Sequence, residues 1–160
     1  MIEINNTTRQ RINLKKTREI AEKFLRVYKK NNYEVSLAIV GEVRMKYFNQ
    51  KYRGINKTTD VLSFCGPAAE TEGGRASMNR SKKFLGEIII NISETKKLEK
   101  YREMFQEINL GTDNRNKNSA YLFYFLMVHG LLHLVGYNDD REKERLKMLK
   151  LGRDFLEKIL

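Results

Sequence analysis

Residues 119–140 read SAYLFYFLMVHGLLHLVGYNDD, and this stretch decides the fold of the chain. From Tyr121 to Tyr137 it is almost continuously apolar, at the lower edge of the length that spans a membrane. Two histidines and two glycines interrupt it, which favours a buried central helix, hydrophobic on all sides, over a membrane span. We therefore expect a domain built around a helix at Ser119–Val135, with no membrane partner.

His129 and His133, the only two histidines of the chain, lie four residues apart within this stretch. On a helix, residues i and i+4 share one face, so both imidazoles can reach one metal ion. Gly136 stands where a helix can end in a left-handed turn, and Asp139 follows three residues later. Three protein ligands with an open fourth position are typical of a catalytic zinc. The spacing predicts a metal site formed by His129, His133 and Asp139 at the end of the buried helix.

Spacing alone leaves two alternatives open for these residues. A histidine on an apolar helix is more often a hydrogen-bonded core residue than a metal ligand. Asp139 could instead cap a final helix that begins at Asp140 or Arg141. A glycine and an acid at the right distances favour the metal site over both. A carboxylate ligand would also admit divalent metals other than zinc, because oxygen is a harder ligand than imidazole nitrogen.

Composition bounds the class of protein. The 160 residues, 41% of them hydrophobic, suit one domain (1–160) with a sizeable core. Cys65 is the only cysteine, which excludes a disulfide framework and a cysteine-based zinc site and favours a cytoplasmic setting. The N-terminus lacks the pattern of a signal peptide.

The positive charge is unevenly distributed. The net charge is +11, and residues 1–58 alone hold fourteen Lys/Arg against five Asp/Glu. A one-sided basic surface favours a polyanionic partner, with nucleic acid or the ribosome first, over a generically basic protein.

Hydrophobic periodicity predicts four strands and five helices around one core, which makes an α+β domain. The strands are predicted at Met1–Asn5, Tyr33–Val40, Thr59–Phe64 and Leu85–Ile92. The helices are predicted from an Asn13 cap to about Lys30, at Gly41–Lys51, from a Ser93 cap to about Gln106, at Ser119–Val135 and at Asp140–Leu160. The second helix is expected to direct Val43, Tyr47 and Phe48 inward, and the last helix Leu149, Phe155, Leu156 and Ile159. Loops are predicted at Gly66–Lys83 and Asn109–Asn118.

Three segments of the chain match the motifs of one known family. They are NQKYRG (49–54) leading into TDVLSF (59–64), then LGEI (85–88), then HGLLHLVGY (129–137). In these segments, and in their order across roughly residues 33–140, the chain resembles the YbeY family of metal-dependent endoribonucleases. The resemblance implies a single domain with a central four-stranded mixed sheet packed with about five helices.

The resemblance also implies a function and a set of site residues. It implies a single-strand-specific, zinc-dependent endoribonuclease acting in rRNA maturation (16S rRNA 3′ end processing) and ribosome quality control. Ribosomal RNA or other single-stranded RNA, the small ribosomal subunit and its assembly factors would be the partners. The family's first two metal-binding histidines correspond to His129 and His133, and its third ligand, usually a histidine, to Asp139. Its functionally important arginine corresponds to Arg53, and its cofactor would be one zinc ion per chain.

The leading hypothesis is metal-assisted cleavage of single-stranded RNA. Arg53 would hold the scissile phosphate in its guanidinium fork, although a surface ion pair is an alternative role for it. The basic face of residues 14–30, with Lys51 and Lys57, would add salt-dependent affinity for the RNA backbone, unless it is simply a solvated face.

Two rival functions use the same metal motif. Zinc peptidases with this histidine spacing place a glutamate general base directly after the first histidine, and here that position is Gly130. Asp60 or Glu87 could substitute only if the fold brought them close. The second rival is a non-catalytic ribosome-assembly factor in which the metal is a structural clip. The open ligand position and Arg53 favour the nuclease.

Overall fold

One mixed sheet is built from four strands: Ile2–Asn6 (β1), Tyr33–Val40 (β2), Val61–Cys65 (β3) and Lys83–Asn91 (β4). Their order across the sheet is β1-β2-β4-β3. The pairs β1–β2 and β2–β4 are parallel, whereas β3 pairs with β4 in the antiparallel direction. The structure is a computed structural model that describes residues 1–66, 83–108 and 118–160. The expected four-stranded mixed sheet is confirmed.

Within the described residues, five α-helices pack on this sheet. They are Leu14–Val27 (α1), Glu42–Arg53 (α2), Arg102–Glu107 (α3), Ser119–Leu134 (α4) and Glu142–Glu157 (α5). Side chains alternate along each strand, so Ile88 and Ile90 join the large core with α1, α4 and α5. Ile89 joins a smaller cluster with Leu62 and Met45 of α2. The sheet therefore carries α2 on one face and α4 on the other, and the α+β fold is confirmed.

Helix α4 is the buried central helix expected from sequence. Every residue from Tyr121 to Leu134 is buried except His129 and His133. Asn118 caps the helix by accepting a hydrogen bond from the Tyr121 amide at 2.7 Å. None of the helices in the described part of the chain is long and apolar enough to cross a membrane. The apolar sequence of α4 is thus explained by protein contacts on all sides, which from Tyr121 onwards leave only the two histidines partly accessible.

Gly130 brings α4 unusually close to the sheet. A Cβ atom placed there would lie 2.9 Å from Ile88 Cγ2 and 3.2 Å from Ile88 Cγ1 and Cδ1. Such contacts are too short for carbon atoms, so the helix approaches β4 at a distance that only glycine permits. This packing gives a structural reason for glycine at the position where zinc peptidases carry a glutamate.

We expect Gly130→Ala to lower the free energy of unfolding by up to about 2 kcal/mol, because overpacking of the contact between α4 and β4 costs about 1–3 kcal/mol and the better helix propensity of alanine offsets up to about 1 kcal/mol of it. Gly152→Ala in α5 is the matched control. A Cβ atom at Gly152 would lie 3.7–3.9 Å from its neighbours, which is ordinary contact. The control should be stabilised by up to about 1 kcal/mol, because alanine is the better helix former. Urea denaturation of both variants measures the difference, and equal stabilities would contradict the close approach.

The inward face of α2 was predicted wrongly. Val43 is 87% exposed and Tyr47 56% exposed, and only Phe48 packs against the core. The buried stripe is Met45 and Asn49 instead. Asn49 was missed because it is polar; its Nδ2 donates to the Lys57 carbonyl at 2.7 Å, while its Oδ1 has no hydrogen-bond partner among the described residues.

The single helix predicted from Ser93 to Gln106 is also wrong. The structure has two 3₁₀ turns, Glu94–Lys96 and Leu98–Tyr101, before the short helix α3. Ser93 makes no capping hydrogen bond. Glu94 and Thr95 are buried, and Thr95 Oγ1 donates to the Ile92 carbonyl at 2.8 Å. These buried polar side chains hold the segment against the end of β4. A regular helix through the same residues would direct them away from β4.

The remaining boundaries differ from prediction by a few residues. Asn13 caps α1 as predicted, accepting from the Lys16 amide at 3.0 Å, but the helix ends at Val27. The last helix begins at Glu142. Apart from Gly66, Lys83 and Asn118, the predicted loops Gly66–Lys83 and Asn109–Asn118 lie outside the described residues.

Candidate metal centre

The end of α4 reverses the chain within four residues. Gly136 adopts a left-handed φ of 99°, as its position predicted. Its amide donates to the His133 carbonyl at 3.0 Å, and the Tyr137 amide donates to the Leu132 carbonyl at 3.0 Å. This pair of bonds is a Schellman motif, which satisfies the last carbonyls of the helix. The turn directs Asp139 back towards the histidine face of α4.

The three predicted ligands converge on one point. His129 Nε2 and His133 Nε2 are 3.3 Å apart. Asp139 Oδ2 lies 3.3 Å from His129 Nε2 and 3.7 Å from His133 Nε2. Tetrahedral zinc with bonds of 2.0–2.1 Å separates its ligand atoms by about 3.3 Å. The group could therefore hold a metal ion of this size.

The Schellman turn also orients one of the imidazoles. His133 Nδ1 lies 3.1 Å from the Tyr137 carbonyl, which can only accept, so Nδ1 carries the proton. The lone pair of Nε2 is then directed at the other two donor atoms. A backbone carbonyl on the far nitrogen is a common partner of metal-binding histidines. His129 Nδ1 is buried and has no hydrogen-bond partner among the described residues, so the fold fixes the tautomer of His133 alone.

Asp139 does not cap the final helix. The N-cap of α5 is Arg141, which makes no side-chain capping bond. The Asp139 amide donates to Asn138 Oδ1 at 2.8 Å, and the Asn138 amide group donates to Asp140 Oδ2. Asn138 thus holds both acids, and Asp139 is the one that turns its carboxylate to the histidines. This geometry removes the capping alternative for Asp139.

The electrostatics of the cluster lower the pKa values of Asp139 and His133, which favours their deprotonated forms. The hydrogen bond with His129 lowers the pKa of the Asp139 carboxyl below its ordinary value, and burial only partly opposes this. Burial lowers the pKa of His133, and the nearby charges of His129 and Arg53 act in the same direction. Unprotonated imidazole and carboxylate are the forms that bind metal.

We expect the metal-free protein to lose stability on acidification. Both pKa values are lower in the folded protein, so the unfolded chain binds more protons as the pH falls. The His133 contribution is constant above its ordinary pKa of 6.5 and is lost progressively as the pH falls towards the lowered value. Asp139 contributes in the same direction below 3.8. Melting temperatures of chelator-treated protein from about pH 7.5 to about pH 5 measure the effect, and His133→Ala should flatten the curve.

A cleft of about 430 Å³ opens beside the three ligands. Arg53, the last residue of α2, lines it together with the loop that leads into β3. Arg53 is exposed and makes no ion pair within the described residues, which disfavours the surface ion-pair alternative. The predicted RNA-binding residues Lys51 and Lys57 are exposed and lie outside the residues that line the cleft. The structure thus brings Arg53 to the cleft but neither lysine, and the roles predicted for all three residues stay predictions.

Asp60, which the sequence suggested only as a substitute general base if the fold brought it close, lines the cleft. Its Oδ1 accepts from the Val61 amide at 2.8 Å and from Thr59 Oγ1 at 3.2 Å. Its Oδ2 accepts from the Tyr101 hydroxyl at 3.0 Å. Burial and the Asp60 charge raise the pKa of Tyr101, so its hydroxyl stays protonated and keeps donating. Asp60 and Tyr101 are 41 residues apart in the chain, so no local sequence pattern predicts their hydrogen bond.

Glu87, the other acid considered from sequence, lies on the wrong side of the sheet. It is one residue before Ile88, which packs under α4, and two before Ile89, which packs under α2. Alternation along β4 therefore places Glu87 on the α2 face, away from the histidines. It accepts a hydrogen bond from Ser36 Oγ at 3.4 Å. Of the two acids, the fold brings only Asp60 to the cleft.

Comparison with known proteins gives concordant matches. A family model described as endoribonuclease YbeY matches residues 3–160. The endoribonuclease YbeY of Petrotoga mobilis is 30% identical over 159 residues, covering 98% of this chain and 93% of the relative. That of Leptospira interrogans is 35% identical over 136 residues, covering 79% and 86%. The solution structure of TM1509 from Thermotoga maritima superposes with a TM-score of 0.61 at 23% identity, covering 98% of this chain and 87% of that one. This last likeness concerns the fold alone.

Proposed function

The chain belongs to the endoribonuclease YbeY family, and we propose that it is a metal-dependent endoribonuclease that cleaves single-stranded RNA. Its proposed role is rRNA maturation, including 16S rRNA 3′ end processing, and ribosome quality control, in the cytoplasm. The small ribosomal subunit and its assembly factors are the proposed partners. One observation carries the proposal: three metal-type donor atoms meet in a cleft that an exposed arginine lines.

We propose one zinc ion per chain, held by His129 Nε2, His133 Nε2 and the Asp139 carboxylate. A bound ion would supply Lewis acidity towards a phosphodiester and would lower the pKa of a nearby water. The Asp139 charge leaves the site at a formal +1, where three histidines would leave +2, so this acidity is weaker than at a three-histidine site.

Two side chains of the cleft have proposed roles in the reaction. Arg53 presents a planar fork of N–H donors, which matches two oxygens of a phosphate group and holds it in place. Asp60 is the proposed proton acceptor. Three hydrogen bonds fix its carboxylate, which has about four acceptor positions, so one remains for a water or a hydroxyl group. Tyr101 acts as a positioning residue for Asp60.

The two rival functions are weaker for different reasons. A peptidase needs a proton-transferring side chain next to His129, and the contact of Gly130 with Ile88 leaves no room for one. A non-catalytic assembly factor would use the same metal site, so the distinction rests on activity. The direct test is single-stranded RNA incubated with chelator-treated protein before and after zinc is restored. Cleavage that returns with zinc supports the nuclease; zinc binding without cleavage of any RNA assigns the assembly role.

We expect Asp139→His to change the metal preference of the site. Imidazole suits zinc, whereas a carboxylate suits manganese and magnesium, so the variant should favour zinc over manganese more strongly than the wild type does. Competitive titration of the two metals against a chelating dye measures the ratio of their dissociation constants. Glu144→His, which places a histidine at an exposed acid of α5 outside the donor group, is the control. An unchanged ratio in Asp139→His would contradict the assignment of Asp139 as a ligand.

A further inference from the structure

Helix α2 carries two half-exposed tyrosines, and one of them, Tyr47, was expected to face the core. Tyr47 is 56% and Tyr52 is 53% exposed. Ring contacts join them to the smaller core: Tyr47 to Phe48 at 5.6 Å, Phe48 to Tyr52 at 6.1 Å, and Tyr52 to Phe64 at 5.0 Å between centroids. Phe48 and Phe64 pack against the smaller core, so the two tyrosines are in contact with it through these rings while about half of each tyrosine remains exposed. We name Tyr47, Lys51 and Tyr52 the tyrosine face.

A lysine lies between the two rings. Lys51 Nζ is 5.8 Å from the centroid of Tyr47 and 5.3 Å from that of Tyr52. The other charges of α2 are Arg44, Lys46 and Arg53 against Glu42, and Glu42 is in contact with Lys97. The tyrosine face is therefore aromatic and positively charged together. Single-stranded nucleic acid is recognised by this combination, with bases stacked on rings and phosphates beside cations.

The tyrosine face is continuous with the cleft. Tyr52 directly precedes Arg53, which lines the cleft. Phe64, in contact with Tyr52, stands between Ser63 and Cys65 on β3, and both of these line the cleft as well. In the described part of the chain β3 is an edge strand of the sheet, so no further described strand separates the two surfaces at this edge. An RNA strand whose phosphate lies at Arg53 can thus continue over this edge onto the rings.

We propose that Tyr52 and Tyr47, with Lys51, form a stacking platform for unpaired bases of single-stranded RNA next to the phosphate held at Arg53. The inference rests on the proposed function, because it takes RNA to be the substrate. Stacking uses the π-face that every base has, so the platform is tolerant of sequence. Bases inside a duplex do not present this face, so the platform also selects unpaired RNA over paired RNA.

The experiment measures binding of a fluorescent 2′-O-methyl RNA oligonucleotide to metal-loaded protein, with the oligonucleotide checked for integrity on a gel. Tyr52→Ala should weaken binding about five-fold or more, and the double variant with Tyr47→Ala should weaken it further. Tyr52→Phe keeps the ring and should bind like wild type. Leu160→Ala is the control, because Leu160 is an exposed apolar residue (52%) that follows α5 and is not among the residues proposed to bind RNA. Unchanged affinity in Tyr52→Ala and in the double variant overturns the platform.

A second measurement separates stacking from a general loss of structure. Oligonucleotides with abasic sites should bind wild type more weakly, and Tyr52→Ala should reduce this difference, because the ring and the base act together. If Tyr52→Ala lowered the affinity for intact and for abasic RNA by the same factor, the stacking role would be overturned. Lys57→Ala, by contrast, should lower the salt dependence of log affinity by about 0.7 for each phosphate that the lysine neutralises, and Tyr52→Ala should leave it unchanged.

Failure of the platform and failure of the nuclease give different results. Normal cleavage by wild type, with no effect of the tyrosine variants on binding or cleavage, removes the platform and leaves the nuclease. Ring-dependent binding of RNA, with no cleavage at any metal concentration, removes the nuclease and leaves an RNA-binding platform.

Discussion

His133→Ala should leave the protein folded but without stoichiometric metal, and should slow RNA cleavage by more than about 100-fold. Removal of a hydrogen-bond partner of a metal ligand already costs roughly 10–100-fold in metal affinity or activity. Loss of the ligand itself removes one of three donor atoms and also the imidazole that the Tyr137 carbonyl orients. Elemental analysis after dialysis gives the metal content, and single-turnover cleavage gives the rate.

The two neighbouring acids provide a control within the same turn. Asp139→Ala should lose metal as His133→Ala does, whereas Asp140→Ala should retain it, because only Asp139 directs an oxygen to the histidines. Circular dichroism of each variant establishes that it is folded. Full metal content in His133→Ala, or loss of metal in Asp140→Ala alone, would show that the ligand set is wrong.

Arg53→Ala should reduce the rate constant of cleavage by about 100- to 1000-fold, the loss seen when a donor to developing negative charge is removed. Its metal content should not change, since Arg53 is no ligand. Arg53→Lys should recover little of the rate, because a lysine ammonium lacks the planar fork that binds two phosphate oxygens. Single-turnover kinetics at saturating RNA separate this effect from binding.

Arg44→Ala is the matched control for Arg53. Arg44 is an exposed arginine of the same helix and does not line the cleft. Its replacement removes the same charge from α2, so it should weaken RNA affinity slightly and leave the saturated rate unchanged. Similar rates for Arg44→Ala and Arg53→Ala would mean that Arg53 contributes only to the general charge of the surface.

The metal group was predictable because it is local. All three ligands lie within eleven residues, and the rules for helix faces and left-handed turns at glycine act over that distance. The contribution of Arg53 was reached only through the family resemblance, since an arginine 76 positions before His129 carries no signal of its own. The hydrogen bond from Tyr101 to Asp60 was not predictable, because it depends on the path of the segment after β4, and that segment was predicted as a helix.

The orientation of α2 failed for a related reason. Hydrophobic periodicity assumes that buried positions are apolar, and Asn49 is buried with a hydrogen bond to Lys57. The true stripe contains a polar residue, and a tyrosine lies outside it. The predicted face was therefore centred on a different side of the helix, more than about 100° from the buried stripe. The same error concealed the tyrosine face, because Tyr47 was assigned to the core.

The close approach at Gly130 joins two separately built parts of the site. One part is the metal group, which is carried by a single turn and can assemble wherever α4 ends. The other part is Arg53 and Asp60, which approach from α2 and from the loop before β3. The packing of α4 on Ile88 and its neighbours helps to set the distance between the parts. A variant that loosens this packing can therefore hold its full complement of metal and still be inactive, so that metal content and catalytic competence become separate properties of the protein.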